Sequence, residues 1–149
     1  MPRPCLAVVA LLVGLALVLG CWHAASRRQM AALARREHQS AAREAEAAAQ
    51  AVLDALLAGD AARLDALTHP RTRAGVRRSA RLMARGSAER VGMGRAQPAG
   101  PARVELEVEG RRFLRAYRLP GGRVAVLDLR AGRSGPWRLH SLEAAPPEP

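Results

Sequence analysis

Residues 103–122 read RVELEVEGRRFLRAYRLPGG. Val104, Leu106 and Val108 alternate with Glu105, Glu107 and Glu109, the period of a strand with one apolar and one acidic face. Gly110 interrupts the pattern, and Arg111–Leu119 resumes it with Phe113, Tyr117 and Leu119 on one face. Pro120-Gly121-Gly122 is a strong turn signal. The arginines of the second strand stand where they can pair with the glutamates of the first. In this register Leu106 belongs to the core, so Leu106→Asp is expected to unfold the domain and Glu107→Ala to change little.

Downstream the same period continues. Val124–Leu129 is apolar on both faces except at Asp128, the pattern of a central strand. Gly132–Pro136 turns the chain, and Trp137–Leu142 closes the sheet with Trp137 and Leu139 inward and His140 outward. Residues 144–149 read as a disordered tail.

Upstream the period is helical. Gly86, Gly92 and Gly94 bracket a loop or a first strand at Glu89–Arg95, and Gln97–Pro101 reads as a turn or loop. Arg73–Arg85 is a helix with Val76, Ala80 and Met83 on an apolar stripe and Arg73, Arg77, Arg81 and Arg85 on a basic one. Like charges at that spacing repel by a few tenths of a kcal/mol per pair, so the stripe is either a well-solvated face or a contact surface for anionic lipid or an acidic partner. Ala61–Leu67 is a short helix, capped by Asp60 and ended by His69-Pro70, with Leu64 and Leu67 inward. Before it, Ala48, Val52, Leu53, Leu56 and Leu57 recur at spacings of three and four, and Gly59 ends that helix. Arg27–Glu46 is polar on nearly every side, with Met30, Leu33 and Ala34 as its apolar stripe, and reads as a spacer.

Helices first and hairpin-linked strands second means α+β: N-terminal helices on one face of a curved, cone-like antiparallel sheet, preceded by an apolar helix. The expected organisation is an anchor segment at 1–21, a polar helical stalk at 22–46, the α+β domain at 47–143 and the tail at 144–149.

The apolar helix is Cys5–Cys21, CLAVVALLVGLALVLGC, uncharged and preceded by Arg3. Its length suits a secretory h-region and is slightly short of the roughly 20 residues of a spanning helix. Val18-Leu19-Gly20-Cys21 resembles the bacterial lipobox, which implies export and lipid attachment at Cys21; two or more acyl chains anchor stably. An uncleaved single span is the alternative. Arg27, Arg28, Arg35 and Arg36 follow the run, and the positive-inside rule would place them on the cytoplasmic side.

All 24 basic side chains are arginine, and the net charge is +11. Abundant Arg and Ala together are what GC-rich codons produce, so the charge is partly a matter of composition. With the aromatics limited to Trp22, Phe113, Tyr117 and Trp137, a base-stacking nucleic-acid surface is not expected. Both cysteines, Cys5 and Cys21, lie in the apolar run, so the domain holds together by packing, without a disulfide or thiolate metal site. His23, His38, His69 and His140 are too scattered for a metal site, and neither metal nor cofactor is expected.

The stretch Val52-Leu53-Asp54-Ala55-Leu56-Leu57-Ala58-Gly59-Asp60, then Leu64 and Leu67, together with the terminal Gly135-Pro136-Trp137-Arg138-Leu139 strand, resembles the nuclear transport factor two-like superfamily. The resemblance covers roughly Ala47–Glu143 and is nearest to its small bacterial lipoproteins and membrane-anchored domains. It implies a cone fold whose catalytic members place a Tyr or acidic residues inside. Tyr117, Asp128 and Trp137 are the candidates for such a pocket, and a buried Asp128 would have a raised pKa. Fold alone does not bring activity with it. The reading is a non-catalytic, membrane-anchored extracytoplasmic domain binding an envelope protein or a small apolar ligand. Its rivals are a single-span component of an envelope or secretion complex and a cone-fold enzyme using Asp128.

Overall fold

The structure is a computed structural model and describes residues 4–85, 94–106 and 109–145; the side chains of 4–13, 16, 85 and 145 fall outside that description. The elements are α1 (Pro4–Leu57), α2 (Ala61–Leu67), a 3₁₀ turn (Pro70–Thr72), α3 (Arg73–Arg85), β1 (Gln97–Pro98), β2 (Arg103–Leu106), β3 (Gly110–Arg118), β4 (Val124–Gly132) and β5 (Arg138–Ala145). The chain divides into two units, Met1–Glu37 and His38–Pro149. In the first, Leu15, Leu17, Val18, Leu19, Trp22, Met30 and Leu33 are exposed. Among the described residues no helix is long and apolar enough to cross a membrane. Much of the Cys5–Cys21 run lies outside the described side chains.

The second unit is α+β. All its described strand pairings are antiparallel, in the order β1–β3–β4–β5, with β2 also on β3. The β3–β4 turn places Pro120 before Gly121, whose φ is +94°, and Gly122 N–H donates to Leu119 O at 3.0 Å. That is the residue order a type II turn requires. One face of the sheet carries Phe113, Tyr117, Ala125, Leu127, Leu129, Leu139 and Leu142, all buried. These join a single cluster with α1, α2 and α3 through Leu53, Leu64, Val76 and Met83.

Burial in the second unit begins at Ala41, earlier than the boundary at Ala47 that the sequence pattern suggests. Ala41, Ala45 and Ala49 are buried at successive i, i+4 positions, followed by Val52 and Leu53. Small side chains carry little hydropathy, which hides the stripe in the sequence, yet they let the helix backbone approach the sheet closely. The helix ends in a Schellman arrangement: Gly59, at φ +67°, donates to Leu56 O at 3.2 Å, and Asp60 N–H donates to Ala55 O at 3.0 Å. Asp60 then accepts from Arg63 N–H at 2.9 Å to cap α2. At its other end α3 is closed by Arg123, whose guanidinium donates to Met83 O at 2.9 Å.

Two strand expectations are corrected. Leu106 lies on the inner face by register, opposite Arg111, but it is 45% exposed. It sits on an edge strand that pairs, among the described strands, only with β3, and it is absent from the core cluster that Val104 reaches. Glu107 and Val108 lie outside the described residues. Second, Gln97–Pro98 is not simply a turn but pairs with Arg118 and Tyr117 of β3. Pro98 is tolerated there because this is an edge position. The expected first strand at Glu89–Arg95 is outside the description up to residue 93, and Gly94 and Arg95 are irregular. Ala144 and Ala145, assigned by the sequence to the tail, belong to β5; residues 146–149 lie outside the description.

The corrected edge reverses one expectation. Leu106→Asp should now change stability by no more than about 0.5 kcal/mol, the ordinary surface range. Ala45→Leu should cost about 1–3 kcal/mol by forcing the helix off the sheet. Urea unfolding of the two variants checks this, and the assignment of both positions fails if Leu106→Asp is the more damaging.

Candidate functional site

The end of the sheet where β3 begins and β4 finishes is built from glycines. Gly110 opposes Gly132 across the ladder, and a Cβ on Gly110 would meet the carbonyl oxygen of Ala131 at 2.5 Å. Only a residue without Cβ lets the strands close there. Gly135 N–H donates to Gly132 O at 3.3 Å and folds the β4–β5 connection back. The resulting cavity, about 480 Å³, is bounded on one side by these backbones and on the other by the His69–Pro70 segment and Arg73.

Its charged lining is one-sided. Arg73, Arg111, Arg112, Arg130 and Arg138 contribute guanidiniums, His69 and His140 contribute imidazoles, and Glu109 is the carboxylate in the lining. Arg112 and Arg130 oppose each other directly in the β3–β4 register. Like charges so placed repel. Asp128 lies between them: it accepts from Arg112 Nε at 3.1 Å, Arg112 Nη2 at 3.0 Å and Arg130 Nη2 at 3.1 Å. Arg112 is also within 3.7 Å of Glu105. Arg111 spans to α1, donating to Glu44 at 3.0 Å, and its guanidinium lies 5.1 Å from the Trp137 ring centre. Its Nε is buried without a hydrogen-bond partner. Arg73 donates to the carbonyl of Asp65 at 3.0 Å, and Arg138 donates to the carbonyl of Ala66. Backbone carbonyls hold these two groups in place, and the Asp65 carboxylate also acts on Arg73 through its charge.

The histidines arrive from two elements. Thr68 forms a parallel bridge with Leu139, and His69 N–H donates to Leu139 O at 2.9 Å, which brings His69 beside β5. Its ring stacks on His140 at 4.5 Å between centres. Burial lowers the His140 pKa, and the neighbouring His69 and Arg130 lower it further against the smaller opposing pull of Asp128.

Asp128 is buried, as its place in a central strand suggests, but its titration runs opposite to the expectation. Burial alone raises its pKa, yet hydrogen bonds from Arg112 and Arg130, with their charges, outweigh burial and leave it below the ordinary carboxylate range. A general base near neutrality needs the reverse. Tyr117 and Trp137 stand on the inner face and Asp128 on the opposite face, so the three do not share a pocket. Tyr117 is held by Glu46: its hydroxyl donates at 3.0 Å, while Arg115 donates to the same carboxylate at 2.7 Å. Burial, and then the charge of Glu46 and its bond to the hydroxyl, raise the Tyr117 pKa. Trp137 packs edge-on against Phe113 at 6.5 Å.

The basic stripe of α3 divides between two places. Arg77 forms a bidentate pair with Asp65 of α2, and that hydrogen bond is the main cause of the lowered Asp65 pKa. Arg77 and Arg81 line a groove beside α2, whereas Arg73 lines the cavity at the sheet end. The Arg85 side chain lies outside the described residues. Cys21 is a free, exposed thiol in α1. Among the described residues no group of His, Cys, Asp and Glu side chains is arranged to hold a metal ion. Arg112, Arg130 and His69 were not legible as site residues because the cavity forms from three separated segments. The available signal was the placement of Arg130 two residues after Asp128, on the same strand face.

Asp128→Asn should cost about 1–2 kcal/mol at neutral pH, less than a fully buried ion pair because Arg112 and Arg130 remain partly solvated. The folded pKa of Asp128 is depressed. Its contribution is therefore full above the unfolded value of about 3.9 and is lost as pH falls through the folded one. Urea unfolding at pH 7 and pH 3 should show the gap between wild type and variant shrinking in acid; equal stability at pH 7 would mean the pairs contribute nothing. No protein-family model, no curated protein and no solved structure matches this chain.

Proposed function

We propose that this chain is a membrane-anchored, extracytoplasmic binding domain, non-catalytic, with a cone-like α+β body of the nuclear transport factor two-like kind. The observation that carries the binding reading is the cavity at the sheet end, where guanidiniums and imidazoles from three chain segments converge on a space of about 480 Å³. That volume falls within the range of small-ligand sites. The inner face of the sheet, which a small apolar ligand would need, is covered by α1, with Val52, Leu53, Phe113 and Tyr117 fully buried. The cavity therefore supports a polar ligand better than an apolar one. Asp128, which is locked between two arginines and does not line the cavity, also speaks against the enzyme reading.

The anchoring part rests on the uncharged Cys5–Cys21 run, the lipobox-like Val18-Leu19-Gly20-Cys21 and the exposed apolar side chains from Leu15 to Trp22. Lipidation of Cys21 would put the domain outside the cytoplasm. The single-span alternative draws on Arg27, Arg28, Arg35 and Arg36, which favour a cytoplasmic location for that flank.

Intact mass of the membrane-extracted protein tests this. The expected species begins at Cys21 and carries a diacylglyceryl group. A full-length mass in the membrane fraction would select the single span instead, and an unmodified chain recovered away from membranes would remove the anchor altogether.

A further inference from the structure

We propose that the cavity between the β3–β4 end of the sheet and the His69–Arg73 segment binds a phosphomonoester-type oxyanion. The inference rests on reading the domain as a binding module and is independent of how the chain is anchored.

Arg112 and Arg130 both pair with Asp128, and Arg112 pairs with Glu105 as well. Arg138 stands beside Arg130 across the β4–β5 ladder and donates to the Ala66 carbonyl, while Arg73, from α3, donates to the Asp65 carbonyl and also feels the Asp65 carboxylate. A carbonyl orients a guanidinium but leaves its charge in place. His140 adds a ring whose protonation is opposed by burial, by His69 and by Arg130. Bringing so many like-signed groups to one concave space costs free energy, which Asp128, Glu105, Glu44 and Glu109 offset in part and an entering anion would offset further. Arg112, Arg130 and Arg138 form a row across β3, β4 and β5, and Arg73 and His69 reach the same space from the segment beside β5.

Chemistry then narrows the anion. Guanidiniums present planar forks that match phosphate oxygens bidentately. A phosphomonoester carries up to two negative charges and three terminal oxygens, enough to engage several forks at once. A neutral ligand would offer these guanidiniums no charge. A Cβ on Gly132 would meet nothing within 4 Å, so at this glycine the wall carries no side-chain bulk and an oxyanion with a short substituent can approach it. A free phosphorylated small molecule and the headgroup of a phosphatidate lipid offer the same phosphomonoester.

The test uses the full-length chain in phosphatidylcholine nanodiscs. Inorganic phosphate and glycerol phosphate are titrated calorimetrically, with chloride at matched ionic strength as the control. Saturable binding is expected, weakened about tenfold or more in Arg73→Gln and in Arg130→Gln and unchanged in Arg81→Gln, which lies outside the cavity. Thermal unfolding of each variant separates lost binding from lost structure. In the wild-type protein a second readout needs no substitution: phosphate should raise the His140 titration followed by ring NMR signals, because a bound anion favours the imidazolium. Nanodiscs containing phosphatidate that block phosphate binding assign the site to a lipid headgroup. Unaltered binding in those nanodiscs assigns it to a soluble phosphomonoester. The proposal is overturned if phosphate binds no better than chloride, if Arg81→Gln weakens binding as much as the cavity variants, or if His140 does not respond. None of these results depends on the mass at Cys21, so failure here leaves the anchor reading standing and failure there leaves this one.

Discussion

The carboxylate of Glu46 is the constraint on which the rest of the second unit depends. It projects from α1 among alanines and accepts from two neighbours on β3, the Tyr117 hydroxyl at 3.0 Å and Arg115 at 2.7 Å. Alanine packing supplies area but little specificity of register, because a helix face of Ala41, Ala45 and Ala49 could slide along the sheet with small loss. A charge with two fixed donors cannot slide: moving the helix by one turn would strand the buried Tyr117 hydroxyl and an arginine together. Glu44, pairing with Arg111 at 3.0 Å, repeats the restraint along the same strand. Arg115 also reaches across to the Gly100 carbonyl at 3.1 Å, tying down the bend between β1 and β2. One strand thus positions the helix on its face and the broken strand on its edge.

The same device recurs on the opposite face with a different result. There Asp128 reconciles Arg112 with Arg130, with Glu105 also on Arg112, while Arg73 and Arg138 are fixed by carbonyls. On the inner face the arginines nearest α1 meet glutamates; at the sheet end the balance stays positive. The difference separates charges that fix the fold from charges that remain for a ligand. Formal net charge does not distinguish them, which is why +11 by itself says little about function.

How much of this the sequence carries depends on what each signal needs. Elements fixed by local chemistry were legible: α2 and α3 run from Ala61 to Leu67 and from Arg73 to Arg85, where capping and proline signals placed them, and Gly59, Asp60 and the Pro120–Gly122 turn act as their residue types dictate. The inward set of Phe113, Tyr117, Trp137 and Leu139 follows from alternation. Leu106 shows the limit of that rule, since alternation gives a face but not whether anything covers it. The alanine stripe from Ala41 was hidden because alanine marks a helix more strongly than it marks a core. The cavity could not be read at all, because its arginines and histidines converge only once β3, β4, β5 and the His69–Arg73 segment are in place. Asp128 was visible as a buried acid, but the sign of its pKa depended on cross-strand partners.

A double-mutant cycle on Glu46 and Tyr117 reads the central restraint most directly. Glu46→Ala, Tyr117→Phe and the pair are unfolded in urea, and the coupling is taken from the difference. A hydrogen bond that holds α1 on β3 predicts a coupling of about 1 kcal/mol or more. Additivity to within about 0.3 kcal/mol would mean that packing alone sets the register and that Glu46 only decorates it.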